Sequence, residues 1–354
     1  MLDRGIGTDL QRVSILYGLC AGTTLSARLK EALNFAREII EVAERQPDPA
    51  YRLVGYRQLG TLQFYRGDNR AALANLQKAA AHRDARQQKA LSYRFGWDQG
   101  ISALSFEVLV RLSLGLLDSA AAISEQVRAE IAHHGHAATF ASGTFCAITW
   151  PKLVLGDHEG LERDSAELAS FCTEKKVEQI RLLATLLCAF ARAMREPVEA
   201  NIVAMRQARI ALGKSGGSTG NSIILSSLAQ SLLHAGDLTA AEAALNDGFA
   251  FVERSGERYW LADLHRLCGQ LALRQPDPDR ARAEACFHKA IEVARGQEAR
   301  LLELRAAIDL GELWQGTRPS AEIRALVEPI LGQIEGGTTA PDVRNACALL
   351  AAVI

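Results

Sequence analysis

Apolar residues recur at every third or fourth position over long stretches of this chain. In RYWLADLHRLCGQLAL (258–273), Trp260, Leu264, Leu267 and Leu271 mark one stripe, with Leu261, Cys268 and Ala272 beside it. That spacing predicts an amphipathic helix. The stripes break at short Gly-containing turns: YRGDN at Gly67, SLGLL at Gly115, VLGDH at Gly156 and HAGDL at Gly236. The breaks fall at multiples of roughly 40 residues, which predicts stacked helical hairpins. First helices are expected near residues 9, 50, 99, 137, 177, 218, 257 and 298, with a last helix from about Asp342.

Small residues sharpen this pattern. YRQLGTLQFYRGDNRAALANLQKAA follows the tetratricopeptide scheme: Tyr56, Leu59 and Gly60 in the first helix, Gly67 in the turn, Ala72 in the second. ILSSLAQSLLHAGDLTAAEAALNDG runs in the same register through Leu228, Ala229, Gly236 and Ala241. In the third good match Gly269 corresponds to Gly60, and Ala283, Phe287 and Ala290 anchor its second helix. Residues without bulk let two helix axes approach closely. Two positions fit only loosely, Val108 and Thr149, where a small residue is preferred. The expected fold class is all-α: a single right-handed superhelical solenoid of about eight tetratricopeptide-like hairpins over 1–354.

Composition narrows the function. Lys plus Arg number 40 against 41 Asp plus Glu, so the net charge of -1 gives no general attraction to nucleic acid or anionic membrane. The seven cysteines are odd in number, widely spaced and without a C-x-x-C pair, which predicts reduced thiols in a cytoplasm. No uncharged apolar run reaches the roughly 18 residues of a membrane span, and 1–14 has no signal-peptide pattern.

GERYWLADLHRLCGQLAL, AEACFHKAIEVARGQEARLLELRAAIDLGELW, LGTLQFYRGDNRAALANLQKA and FGWDQGISALSF together resemble the C-terminal repeat region of a bacterial multidomain family. Its members carry a class III nucleotide cyclase or a DNA-binding domain, then a signal-transduction NTPase, then these repeats. The resemblance runs from about residue 12 to the C-terminus, and 256–315 is its most specific part. It implies a regulatory module linked to cyclase or NTPase signalling. It reaches the repeats alone, because the chain has no strand-rich region for a cyclase or a Walker A site.

Four stretches carry residues that suggest chemistry. Asp263, His265 and Cys268 suggest a catalytic trio, but a helix turns about 100° per residue, so Asp263 and His265 point apart. ALGKSGGSTGNS (211–222) suggests a phosphate loop, yet the motif's first Gly would be Ala208, and the segment reads as a flexible link. His133, His134 and His136 suggest a metal, but adjacent His133 and His134 diverge by about 100° on a helix, and Gly135 suits a helix C-cap that neighbouring histidines favour. SYRFGWDQG (92–100) reads as the longest inter-repeat loop; Tyr93, Arg94, Trp97 and Asp98 are its candidate partner-binding residues. No catalytic, cofactor-binding or metal-binding residue is expected.

The expected function is a non-catalytic scaffold docking a protein, a peptide or an upstream NTPase or cyclase domain, without nucleic acid or membrane as partner. The alternative is a small-molecule or peptide effector sensor. Ile15, Leu16 and Leu19 are expected to form an exposed N-terminal face available for self-association, and Leu349, Leu350, Val353 and Ile354 an apolar C-terminal end.

Overall fold

A computed structural model describes residues 9–84 and 86–353. These residues are almost wholly helical and pack as sequential hairpins. The first three pairs are α1 (Asp9–Leu25) with α2 (Leu29–Ala43), α3 (Pro49–Arg66) with α4 (Asn69–Ala81) and, after the short α5 (Gln88–Phe95), α6 (Gln99–Ser113) with α7 (Leu117–His134). In the fourth, α8 (Ala137–Thr144), a π segment (Phe145–Thr149) and α9 (Trp150–Leu155) form one continuous rod against α10 (His158–Lys175). Then come α11 (Glu178–Arg195) with α12 (Glu199–Lys214), α13 (Asn221–Ala235) with α14 (Leu238–Ser255), α15 (Leu261–Arg274) with α16 (Arg280–Gly296), and α17 (Arg300–Trp314) with α18 (Ser320–Leu331). The chain ends in α19 (Pro341–Ala352).

Turn chemistry sets the boundaries. Gly156 and Gly236 close their helices in the left-handed region at φ 73° and 80°. The next residue, Asp157 or Asp237, caps the following helix by accepting the N–H of Gly160 at 2.9 Å or Ala240 at 3.1 Å. Within hairpins the small residues mark close approach. A Cβ on Gly60 would stand 2.7 Å from Leu76 Cγ, and one on Gly269 2.4 Å from Phe287 Cε1. Ala72, Leu228, Ala229, Ala241, Ala283, Phe287 and Ala290 are buried, the last three in a separate C-terminal cluster, while Tyr56 and Leu59 are partly buried against the larger core.

Several expectations need correction. Part of 92–100 is helix and not loop: α5 runs through Tyr93 and Arg94, anchored by buried Leu91 and Phe95. Leu16 is fully buried, so among the described side chains Ile15, Leu19 and Leu25 are the exposed large apolar residues of α1. At the other end Leu349 and Val353 are buried in the last hairpin's core, and Ile354 lies outside the described residues. The link 215–220 is tied down: Ser218 N–H donates to Leu25 O at 2.7 Å, and the Thr219 hydroxyl donates to Thr24 O.

That tie is one of several between hairpins far apart in sequence. Arg258 and Tyr259 N–H donate to Tyr65 O at 2.8 and 3.2 Å. Asn69 Nδ2 donates to Gln297 O at 2.8 Å. Leu117 N–H donates to Glu335 O, and Glu335 N–H to Gly115 O, at 3.0 and 2.8 Å. The row of hairpins curves until its first three touch the last three. Among the described residues no helix is long and apolar enough to cross a membrane.

Candidate functional site

The curvature encloses a pocket walled by the first helices of six successive hairpins. The helices contribute residues that recur about once per helical turn: Tyr17, Ala21 and Thr24 from α1; Arg57, Thr61 and Tyr65 from α3; Ser102, Ser105 and Phe106 from α6. Ser142 and Cys146, then Trp150 and Leu153, come from the rod of the fourth hairpin; Leu183, Leu186 and Leu187 from α11; Ile223 and Ile224 from α13. This is one face of each helix. The same helices also pack on the second helices of their hairpins. The pocket has space for about 180 Å³ of water-sized contents, within a wider recess of about 1310 Å³ measured out to solvent.

Its polar centre is Arg57 on α3, which is 3% exposed. Gln99 Oε1 accepts from Nε at 3.0 Å and from Nη2, Gln58 Oε1 accepts from Nη1 at 2.9 Å, and Tyr17 Oη accepts from Nη2 at 3.3 Å. The phenol donates in turn to Phe95 O at 2.9 Å, and Gln99 Nε2 donates to Trp97 O at 3.0 Å. The guanidinium is therefore held in place by neutral oxygens. Three lining residues carry a buried polar atom with no hydrogen-bond partner among the described residues: Thr61 Oγ1, Trp97 Nε1 and Trp150 Nε1. Buried polar atoms are almost always paired, so three around one cavity call for an explanation.

Behind Gly220 lies a buried carboxyl. Glu257 accepts the N–H of Gly220 at 2.7 Å, and the N–H and hydroxyl of Ser222 at 2.9 and 2.7 Å. Burial pushes its pKa up to about 7 against those bonds. The Tyr259 ring seals this side, 4.9 Å from Phe64 and 6.2 Å from Trp150 between centroids. Cys146 is the lining thiol; burial outweighs nearby Arg57 and pushes it up to about 12, so it stays protonated and unreactive.

The four residues of 92–100 separate. Tyr93 (72% exposed) and Arg94 lie on the outer face of α5, Arg94 donating to Ser14 Oγ at 2.7 Å. Trp97 lines the pocket. Asp98 is buried and caps α6, accepting Ile101 N–H at 2.8 Å, and lies 3.3 Å from His134 Nε2. In the suggested trio, Asp263 accepts from Arg266 Nε at 2.7 Å, Trp260 Nε1 at 3.1 Å and the Ser226 hydroxyl. His265 instead packs on Phe249, 4.9 Å between rings, and burial pushes the Cys268 thiol up to about 12. His134 ends α7 before Gly135 at φ 73°, and His136 caps α8 by accepting Thr139 N–H at 3.3 Å. Among the described residues no group of three His, Cys, Asp or Glu is placed to hold a metal ion.

Reading the sequence missed Arg57, Trp150 and Glu257. A faint signal was present: α3 carries Arg52, Arg57 and Arg66 and no acidic residue. No known family model matches the chain. The chain is 29% identical over 157 residues to an uncharacterised protein of Rhizobium meliloti (strain 1021). The match covers 44% of this chain and 15% of that protein, so the chain spans a small part of its relative's length.

Proposed function

We propose that this chain is a non-catalytic regulatory module, a right-handed solenoid of tetratricopeptide-type hairpins whose concave face binds a small effector in the cytoplasm. The pocket lined by six successive first helices, with its three unpaired buried polar atoms, carries this reading. A ligand touching six hairpins would favour one curvature of the row over another, the differential affinity that a sensor needs. Docking of a protein or peptide is the other form of the same role. It asks for a groove open along its length, whereas the ties at Leu25, Tyr65 and Glu335 draw opposite walls together and favour a compact ligand. Among the lining residues none is His, Asp, Glu or Lys, and the one thiol is held protonated, which supports binding over catalysis.

The link to cyclase or NTPase signalling rests on the resemblance of 256–315 and neighbouring segments to repeat regions of such regulators. A thermal-shift screen against metabolites, run beside a pull-down from lysate, tests the reading. A compound that raises the melting temperature with saturation supports the sensor. Capture of a specific protein, with no compound active, would favour the scaffold.

A further inference from the structure

The pocket holds one charge. Arg57 alone among its lining residues is charged at neutral pH, and every oxygen bonded to its guanidinium is neutral. A guanidinium has five N–H donors, and the bonds to Gln99, Gln58 and Tyr17 leave one Nη1 proton without an acceptor. Glu257 is occupied by Gly220 and Ser222 and makes no bond to Arg57. A buried cation with no counter-charge is held at a cost that an incoming anion offsets. Trp97 Nε1 and Trp150 Nε1, on two lining residues, can only donate and have no partner among the described residues.

The remainder of the wall is apolar, with Phe106, Leu183, Leu187 and Ile224 among its members. A cavity of about 150 Å³ admits benzene, so about 180 Å³ accommodates one ring or a short alkyl chain. We propose that the pocket binds a small organic carboxylate with an apolar body, its carboxylate paired with Arg57. One buried cation matches one negative charge; a phosphate dianion would bring a second charge with nothing to meet it. The inference rests on the effector-binding reading and narrows it to a chemical class.

The test is calorimetry on the full chain with four probes: phenylacetate, octanoate and their uncharged amides. At least one acid should bind saturably, with its amide weaker by roughly 30-fold or more, the loss expected when a buried charge pair is broken. Arg57→Met should weaken the acid by a similar factor and Arg57→Lys by less. Should Arg57→Met fail to fold, Leu183→Trp fills the apolar end without touching the guanidinium's partners and should also abolish acid binding. Amides that bind as tightly as acids would overturn the carboxylate class while supporting the effector pocket. Acid binding untouched by Arg57→Met would overturn the assigned pairing. Silence from all four probes would overturn the class as well, and the metabolite screen then decides the effector reading separately.

Discussion

Glu257 shows how one buried side chain gives the molecule a pH dependence. Its carboxyl titrates near 7 in the fold, against an ordinary 4.5. Between those values the folded chain holds a proton that the unfolded chain has lost. Stability attached to this group is therefore full below pH 4.5 and is lost as pH rises through about 7, a change on the order of 3 kcal/mol. Glu257→Gln cannot titrate. The stability difference between wild type and variant, measured by urea unfolding, should move by about that amount against the wild type between pH 4 and pH 8. A constant difference would mean that the three hydrogen bonds keep the carboxylate ionised. Gly269 gives a second residue-scale test. Its missing Cβ would stand 2.4 Å from a rigid ring, so Gly269→Ala should cost about 1–3 kcal/mol. In a Phe287→Leu background the cost should shrink, and a double-mutant cycle reads that coupling.

At the scale of elements, the first rod of the fourth hairpin carries Pro151 just after its π segment. Proline has no N–H, so Ala147 O loses its intrahelical donor, and the backbone runs through a π segment at Phe145–Thr149 just before it. Ser124 on α7 donates to Ala147 O at 2.5 Å and satisfies the freed carbonyl. Ser124→Ala should lower stability by about 1–2 kcal/mol. In a Pro151→Ala background, where an amide is restored, thermal denaturation should show a smaller loss. Thr149, the loose position of the repeat pattern, lies inside this segment. The hairpins were legible because each is written locally, in stripes three and four apart and in Gly–Asp turns that end one helix and cap the next. Helices begin at Gln99, Ala137 and Glu178, each just after such a local signal or turn. α5 was missed because its signal is a single i, i+4 pair, Leu91 and Phe95, which a loop could equally carry. The pocket was not legible, since Arg57 meets Gln99 and Tyr17 only after three hairpins have packed, and no local pattern encodes that meeting.

At the scale of the molecule, the ties between early and late hairpins set this chain apart from a simple row. In a linear repeat array each unit contacts its neighbours alone, and stability is nearly a sum of local contributions. Here Tyr259 packs on Phe64 and Tyr65, some two hundred residues earlier, and its own N–H and that of Arg258 bond to Tyr65 O. The ring is 4% exposed and stands between α3, α9 and the start of α15. Tyr259→Ala removes aromatic contacts worth about 0.5–1.5 kcal/mol per pair beyond their buried area. If the ties carry energy, the loss should spread to both ends of the contact. Hydrogen exchange should quicken in α3 as well as in α15, although α3 is not altered. It should also quicken in α1, whose Leu25 bonds to Ser218 across the same pocket. Faster exchange confined to α15 would mean that the late hairpins only rest against the early ones. In that case a ligand could not transmit curvature from one end of the row to the other.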